Sequence, residues 1–293
     1  YTVSGYFKVN AGNFLKGRNE VVVSWDDFVL PSGVGISQFQ KTQIVNWQVA
    51  LTSSTTTGAK IALISFDSLP KAPGAVVFMA DDGWAEQFYM HQQLEARGFF
   101  GAMSVAVVPT KIDTANYMTT EQLSSMVKAG CSICNHTMNH VALGNETEAV
   151  QRLETRLCSE WLKYLELGDC SNYLIYPQGN YNDTTLAIAN ESYAIGRTVK
   201  EGMMTPNNDK YQLKVINLLP NVTVDTVKRY ISLATTGGVA VIFLMHKLQD
   251  AEPDGGTPST YWVNSRLHEV LNYAKSIGSP VMNLKQLVTE FLS

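Results

Sequence analysis

From residue 75 onward, apolar runs of strand length alternate with stretches whose apolar residues recur at helical spacing. Residues 75–79 and 239–244 contain no polar side chain, as expected of strands covered on both faces. Further strands are predicted at 99–108, around Ile133 and at 173–176, with a short one at 281–282. Helices are predicted at 86–97, 120–129, 146–165, 184–190, 265–277 and 284–291. Gly98 closes the first helix; Glu121 sits in the first turn of the second and Gly130 follows its end. Strands alternating with helices imply a parallel sheet or a β/α barrel. In such folds chemistry gathers where strands end and loops begin. Asp81, His136, Pro177 and His246 each fall just past a predicted strand, which places them at one rim.

Residues 1–70 have a different rhythm. Val21-Val22-Val23-Ser24-Trp25, residues 42–49 and residues 60–66 mix β-branched and aromatic residues at strand length, separated by Pro31-Ser32-Gly33 and Thr52-Ser53-Ser54-Thr55. This reads as a small β-rich module, with 71–293 as the α/β domain and Pro70 to Gly74 as the link between them.

At 293 residues, 45% hydrophobic and 16% charged, the chain can build a substantial core and is not a disordered polymer. A net charge of −4 argues against a nucleic-acid surface. No apolar run reaches the length that crosses a bilayer. The chain begins with neither an initiating Met nor a signal-peptide pattern, as expected of a processed or cut N-terminus. Of four cysteines, Cys131-x-x-Cys134 resembles half a zinc site, with Cys158 and Cys170 as the other half. Cys131 and Cys134 lie on a predicted strand, however, and should face opposite sides. Buried thiols, a Cys158–Cys170 disulfide and a cysteine zinc site all stand as readings, the first favoured. The Asn-x-Ser/Thr sequons, one of them at Asn135, are read as incidental.

Two segments carry candidate chemistry. His136 and His140 are spaced i, i+4, so one helical turn would face both imidazoles the same way. Asp81-Asp82-Gly83 ends an apolar run and can bring a carboxylate beside them. Two histidines and one carboxylate leave open positions on a divalent metal, the ligand set of hydrolytic zinc sites. Adjacent aspartates diverge, so the second is available as a base.

At these residues the chain resembles the polysaccharide deacetylases, carbohydrate esterase family 4 with its NodB-homology domain, over roughly residues 72 to 290. The T-F-D-D-G motif appears as Met79-Ala80-Asp81-Asp82-Gly83, and H-[ST]-x-x-H as His136-Thr137-Met138-Asn139-His140. The form F-A-Y-P-x-G appears as Leu174-Ile175-Tyr176-Pro177-Gln178-Gly179, and the terminal L-x-H as Leu244-Met245-His246. The resemblance implies a distorted β/α barrel that removes N- or O-linked acetyl groups from a polysaccharide, with a metal-bound water as nucleophile. By position, Asp82, His136 and His140 would hold one divalent metal, zinc first and cobalt or nickel as alternatives. Asp81 would be the base, His246 the acid, and the Gln178 backbone N–H would help hold the oxyanion. An acetylated polysaccharide would be the partner, at an extracellular or cell-surface location.

The chain departs from the family in several places. No arginine lies between Asn172 and Tyr181, where branches of the family orient the base; Arg197 is the candidate replacement from a neighbouring strand. The fourth motif, with its tryptophan, has no match. Ala80 replaces a phenylalanine, and Ser132 stands where glutamate is frequent. Two other functions compete: a non-haem iron oxygenase, whose ligands usually sit on a jelly roll, and a degenerate carbohydrate-binding or adhesive protein. His91 and His268 read as ordinary core or surface residues. Trp84, Tyr181 and Trp262 read as packing before sugar stacking, and Lys247 and Asp250 as loop residues.

Overall fold

The six residues Ala-Val-Val-Phe-Met-Ala of β1 (Ala75–Ala80) are all buried, and in the computed structural model they form the hub of a closed barrel. The structure describes residues 21–23, 72–168, 170–250 and 260–292. The β-rich module of residues 1–70 lies outside them, apart from residues 21–23, which are not in a strand. The domain boundary between 1–70 and 71–293 likewise falls at residues outside the described set.

Around β1 run β2 (Met103–Val107), β3 (Ser132–Asn135), β4 (Tyr173–Ile175), β5 (Ile195–Glu201), β6 (Leu213–Asn217) and β7 (Ala240–Met245). Neighbours in sequence are neighbours in space, all pairs are parallel, and β1 closes on β7 from Ala75↔Ala240 to Ala80↔Met245. Helices α1 (Glu86–Glu95), α2 (Thr120–Lys128), α3 (Glu148–Tyr164), α4 (Asp183–Ser192), α5 (Val224–Thr236), α6 (Asn264–Ser276) and α7 (Leu284–Gln286) complete the series. Side-chain oxygens of Thr119, Thr147, Asn182 and Thr223 accept from backbone N–H groups in the first turns of α2, α3, α4 and α5, which fixes where those helices start. A small parallel pair, β8 (Lys247–Gln249) with β9 (Tyr261–Val263), extends past β7.

Strand alternation sorts the core into two layers. Ala75, Val77 and Met79 cluster with Cys134, Ile175, Ile195, Leu213 and Leu244 in the barrel interior. Val76, Phe78 and Ala80 cluster instead with helix residues such as Met90, Leu123, Leu162 and Ile231. Cys131 belongs to the outer layer and Cys134 to the inner, as strand alternation requires. All four cysteines are buried and none is in a disulfide, so Cys158 and Cys170 are not joined, and among the described residues no group of cysteines has metal-ligand geometry.

The inward parity then places the chemistry. Asp81, His136, Pro177, Arg197 and His246 each lie two residues beyond an interior residue: Met79, Cys134, Ile175, Ile195 and Leu244. All five therefore converge on the carboxyl end of the barrel.

Candidate metal centre and active site

Asp81 continues β1 by one residue, and its N–H donates to Met245 O at 3.0 Å. Its carbonyl accepts from Gln87 Nε2, which also donates to His246 O at 2.8 Å. Buried Gln87 on α1 thus ties the ends of β1 and β7 together. Both carboxylate oxygens of Asp81 accept from Arg197 Nη2. Arg197 has no exposed surface and Asp81 only 2%, so neither charge has water to fall back on. Removing one partner of such a pair typically costs about 3–5 kcal/mol. The replacement arginine expected from a neighbouring strand is thus seated on Asp81.

Asp82 and Gly83 follow with φ of 78° and 84°, and the two carboxylates approach the same nitrogen, His136 Nε2, at 3.8 Å from Asp81 Oδ2 and 3.7 Å from Asp82 Oδ1. Asp82 Oδ2 accepts from Trp84 Nε1 at 3.0 Å. Oδ1 is buried, has no hydrogen-bond partner among the described residues, and lies 3.2 Å from His140 Nε2 and 3.7 Å from His136 Nε2.

The two histidines do not ride on a helical turn, contrary to their spacing. Residues 136–140 form an irregular loop in which Thr137 and His140 have φ of 63° and 61°. Left-handed backbone is costly for a β-branched residue, and the neighbours explain how it persists. Asn135 Oδ1 accepts from Thr137 N at 2.9 Å, while its amide donates to Thr155 O and Ser159 Oγ on α3. Glu154, also on α3, accepts from the backbone and side chain of Asn139 at 2.9 and 2.7 Å. Asn135 has no exposed surface, so its sequon is not a glycan acceptor in the folded chain.

His136 Nδ1 lies 2.9 Å from Ile175 O. A carbonyl can only accept, so Nδ1 carries the proton and Nε2 presents its lone pair to Asp82 Oδ1 and, at 3.8 Å, to Asp81 Oδ2. Burial pulls the His136 pKa down to about 4, against the pull of both aspartates, so the ring is neutral at neutral pH. Burial pushes the Asp82 carboxyl upward, but the close approach of His140 and the nearby imidazoles of His136 and His246 hold it well below the usual carboxylate range. His136 Nε2 and Asp82 Oδ1 are thus two buried acceptors facing each other, with His140 Nε2 beside them. Ligand atoms of Asp82, His136 and His140 lie within 4.8 Å of one another. Two ligands about 2.0–2.1 Å from a shared zinc stand ~3.3 Å apart at the tetrahedral angle, close to the separations found. The orphaned Oδ1, the fixed tautomer and the donor set all fit a divalent cation.

His246, past β7, is half-buried and near enough for its charge to act on Asp82. Gln178 has φ of 57° and ψ of 11° inside the turn Pro177–Gly179. Flanking N–H groups of Gly179 and Asn180 donate to Tyr176 O and Pro177 O. Of seven non-glycine residues with positive φ among the described residues, Asp82, Thr137, His140 and Gln178 are here, so unusual backbone concentrates where the candidate chemistry does. Beside Gln178 a cleft of about 380 Å³ runs along Tyr181, Asn182, Asp183 and Lys200, within the size range of small-molecule sites.

Three aromatic expectations resolve differently. Trp262 is fully buried in the outer core. Tyr181 stacks on Tyr176 at 5.1 Å and lines the cleft. Trp84 stacks on Tyr117 at 4.1 Å, with Lys247 Nζ over its ring at 3.5 Å. Lys247 is therefore no loop decoration: it starts β8. Gln87 and Glu154 carry no sequence signal, and Asn135 reads only as part of an incidental sequon; Gln87 acts through contacts 6 and 159 residues away, Glu154 through one 15 away and Asn135 through contacts 2 to 24 away.

Residues 54–193 match the polysaccharide deacetylase family, a span that includes Asp81, Asp82, His136, His140 and Gln178 but ends before Arg197 and His246. The chain is 24% identical over 158 residues to "Putative polysaccharide deacetylase YxkH" of Bacillus subtilis (strain 168), covering 53% of this chain and 56% of that protein. The chain thus spans little more than half the length of that curated relative. Its fold is similar to the Bc1960 peptidoglycan N-acetylglucosamine deacetylase, with TM-score 0.51 and 16% identity over 75% of this chain and 90% of that one. It is also similar to the Xyl-CE4 domain of a xylanase from the hindgut metagenome of Trinervitermes trinervoides, with TM-score 0.50 and 16% identity over 74% and 90%. With a seven-stranded parallel barrel and that match across its first motifs, the chain is similar to the polysaccharide deacetylases over residues 54–193 and shares their fold.

Proposed function

We propose that this chain is a metal-dependent hydrolase that removes acetyl groups from an extracellular or cell-surface polysaccharide. Asp82, His136 and His140 would hold one divalent cation, zinc first, with cobalt or nickel also suited to such ligands. The observation that carries the reading is the buried, unpartnered Asp82 Oδ1 that faces His136 Nε2 and His140 Nε2, set beside a second carboxylate that Arg197 holds in place. When bound, the cation would supply Lewis-acid polarisation of the acetyl carbonyl and ease ionisation of a water.

The remaining work falls to the chain. Asp81 accepts the proton of the attacking water, its carboxylate oriented by Arg197. The Gln178 N–H donates to the oxygen that gains charge as water adds to the carbonyl. Collapse breaks the bond to the sugar nitrogen or oxygen. His246 gives that leaving atom its proton, and acetate is released. The cleft along Tyr181 and Lys200 offers room for the glycan beside the acetyl group.

Arg197 removes the one sequence feature that favoured a degenerate binding protein, the missing base-orienting arginine. A parallel β/α barrel likewise disfavours an oxygenase reading that needs a jelly roll. Residues 1–70 are proposed as a companion module to a catalytic barrel of 71–293, although the family match already begins at residue 54. The test is acetate release from chitin oligomers, poly-N-acetylglucosamine, peptidoglycan, acetylated xylan and capsular polysaccharide. Release that stops with chelator and returns with zinc or cobalt is expected. Metal-loaded protein inert on all five would overturn the proposal.

A further inference from the structure

Trp84 Nε1 donates to Asp82 Oδ2 at 3.0 Å while Oδ1 of the same carboxylate, unpartnered among the described residues, faces His136 and His140. The indole itself is clamped. Tyr117 stacks on one face with its centroid 4.1 Å away and 22° between planes. A cation 3.5 Å above the ring centroid has room only on the other face, and Lys247 Nζ is there. Lys247 Nζ in turn donates to Tyr261 Oη at 3.3 Å. Lys111 Nζ lies 5.9 Å from the Trp84 centroid and 5.4 Å from that of Tyr117, beside the stack. With both faces covered, Trp84 is not a sugar platform. Its one remaining polar atom is aimed at the candidate metal ligand.

We propose that Trp84 is a positioning residue for the metal centre: its indole N–H occupies Oδ2 of Asp82 and commits Oδ1 as the single ligating oxygen. Tyr117 and Lys247 hold the ring so that the bond persists. A carboxylate free at both oxygens can rotate or chelate through both, and the N–H removes that freedom. Partners of this kind typically change metal affinity about 10–100-fold when removed. The clamp also joins the rims of β1, β2 and β7, since Lys247 directly follows His246.

The inference rests on the metal assignment above and not on the acetyl chemistry, so its test uses metal binding. Trp84→Phe keeps an aromatic ring between Tyr117 and Lys247 and deletes only the donor. Cobalt affinity, read by competition with a chromophoric chelator, is expected to fall about 10–100-fold. The visible cobalt spectrum is expected to change as Oδ2 becomes available, because band intensity follows coordination geometry; a merely structural role would leave it unmoved. Lys247→Met, which keeps the stem at a half-buried position, is expected to weaken binding about threefold alone and not further in the Trp84→Phe background, since coupled residues are not additive. This second variant carries the test if Trp84→Phe fails to fold. Unchanged affinity and spectrum in Trp84→Phe, an additive Lys247→Met effect, or wild-type protein that binds no cobalt would each overturn the proposal. Wild-type protein that binds cobalt but releases no acetate would remove the deacetylase reading and leave this one standing.

Discussion

The barrel holds two buried histidine clusters, one at each end, and they differ in who donates to whom. At the amino end, before β3, His91 Nδ1 lies 3.5 Å from Cys131 Sγ and His91 Nε2 lies 3.6 Å from Glu95 Oε2. At the carboxyl end His136 and His140 face Asp82. Both ends put imidazole beside carboxylate, and burial lowers the pKa of His91 as it does that of His136. At the amino end burial pushes the Cys131 thiol up to about 12, so its S–H is intact and can donate to His91 Nδ1, while Glu95 stands near Nε2 at 3.6 Å without a hydrogen bond. At the carboxyl end the His136 Nδ1 proton goes outward to Ile175 O, and the Nε2 lone pair is left facing Asp82 Oδ1. A thiol donating to an imidazole is a structural device. A buried acceptor facing another acceptor calls for a cation between them. His91, read from the sequence as an ordinary core or surface residue, is a buried one, with Glu95 one turn on.

The largest effect that tests this contrast is a pair of deletions. His136→Ala is expected to take bound zinc from one equivalent to none and activity to background. His91→Ala is expected to keep its zinc and lose about 1–3 kcal/mol of stability from the contacts left unmade. Metal analysis and denaturant unfolding of both read the outcome. Equal zinc in His136→Ala and wild type would break the comparison at its stronger end.

Within the carboxyl end, Asp81 and Asp82 should part company. Asp81→Asn is expected to retain metal and lose about 10²–10⁴-fold in turnover, the range of a positioned base. Loss of metal along with turnover would instead make Asp81 a ligand.

How far these ends can be told apart without a structure depends on the element. β1 and β7 are legible because strands covered on both faces are uninterrupted apolar runs. β5 and β6 are not. β5 reads Ile-Gly-Arg-Thr-Val-Lys-Glu because its interior position carries the arginine that reaches Asp81, so function erases the strand signal there. α5 was missed because Val224, Val227 and Ile231 are β-branched, although Thr223 caps it and its buried residues keep helical spacing. At the site, the identities of Asp82, His136 and His140 are legible from motif and residue type. Their geometry is not: spacing i, i+4 suggests a helical turn, whereas left-handed Thr137 and His140 bring the rings to 4.9 Å. Gln87 and Glu154 leave no trace in the sequence, since a glutamine or glutamate on an amphipathic helix is unremarkable until its partner is known.

His246 sharpens the contrast by substrate rather than by metal. Its replacement by alanine is expected to cost most on an acetamide, whose amine leaves poorly unprotonated, and least on an aryl acetate whose phenolate departs unaided. The alkaline limb of the pH–rate profile should disappear with it, since that limb reports loss of the acid's proton. An equal loss on both substrates with an unchanged profile would make His246 a cap on β7.

The smallest effect lies at the amino end, where Cys131, His91 and Glu95 imitate the order of a thiol nucleophile, base and orienting acid. Reactivity belongs to the thiolate, and in catalytic cysteines the thiol pKa is lowered by its surroundings. Here burial raises it to about 12, so at pH 8 only about one thiol in 10⁴ is ionised. Cys131 is 6% exposed and His91 5%, which removes access as well as charge. Native protein is therefore expected to resist iodoacetamide at Cys131 at pH 8 over hours, while unfolding in guanidinium releases the thiol to the rate of a free cysteine. Peptide mapping after timed labelling gives both rates. Cys131→Ser should leave metal content untouched and lower stability by about 1 kcal/mol, the usual scale for exchanging one modest hydrogen bond for another. Rapid alkylation of Cys131 in the native state would mean that the amino end opens on the labelling timescale, and the buried pairing of Cys131 with His91 would then not be what separates the two clusters.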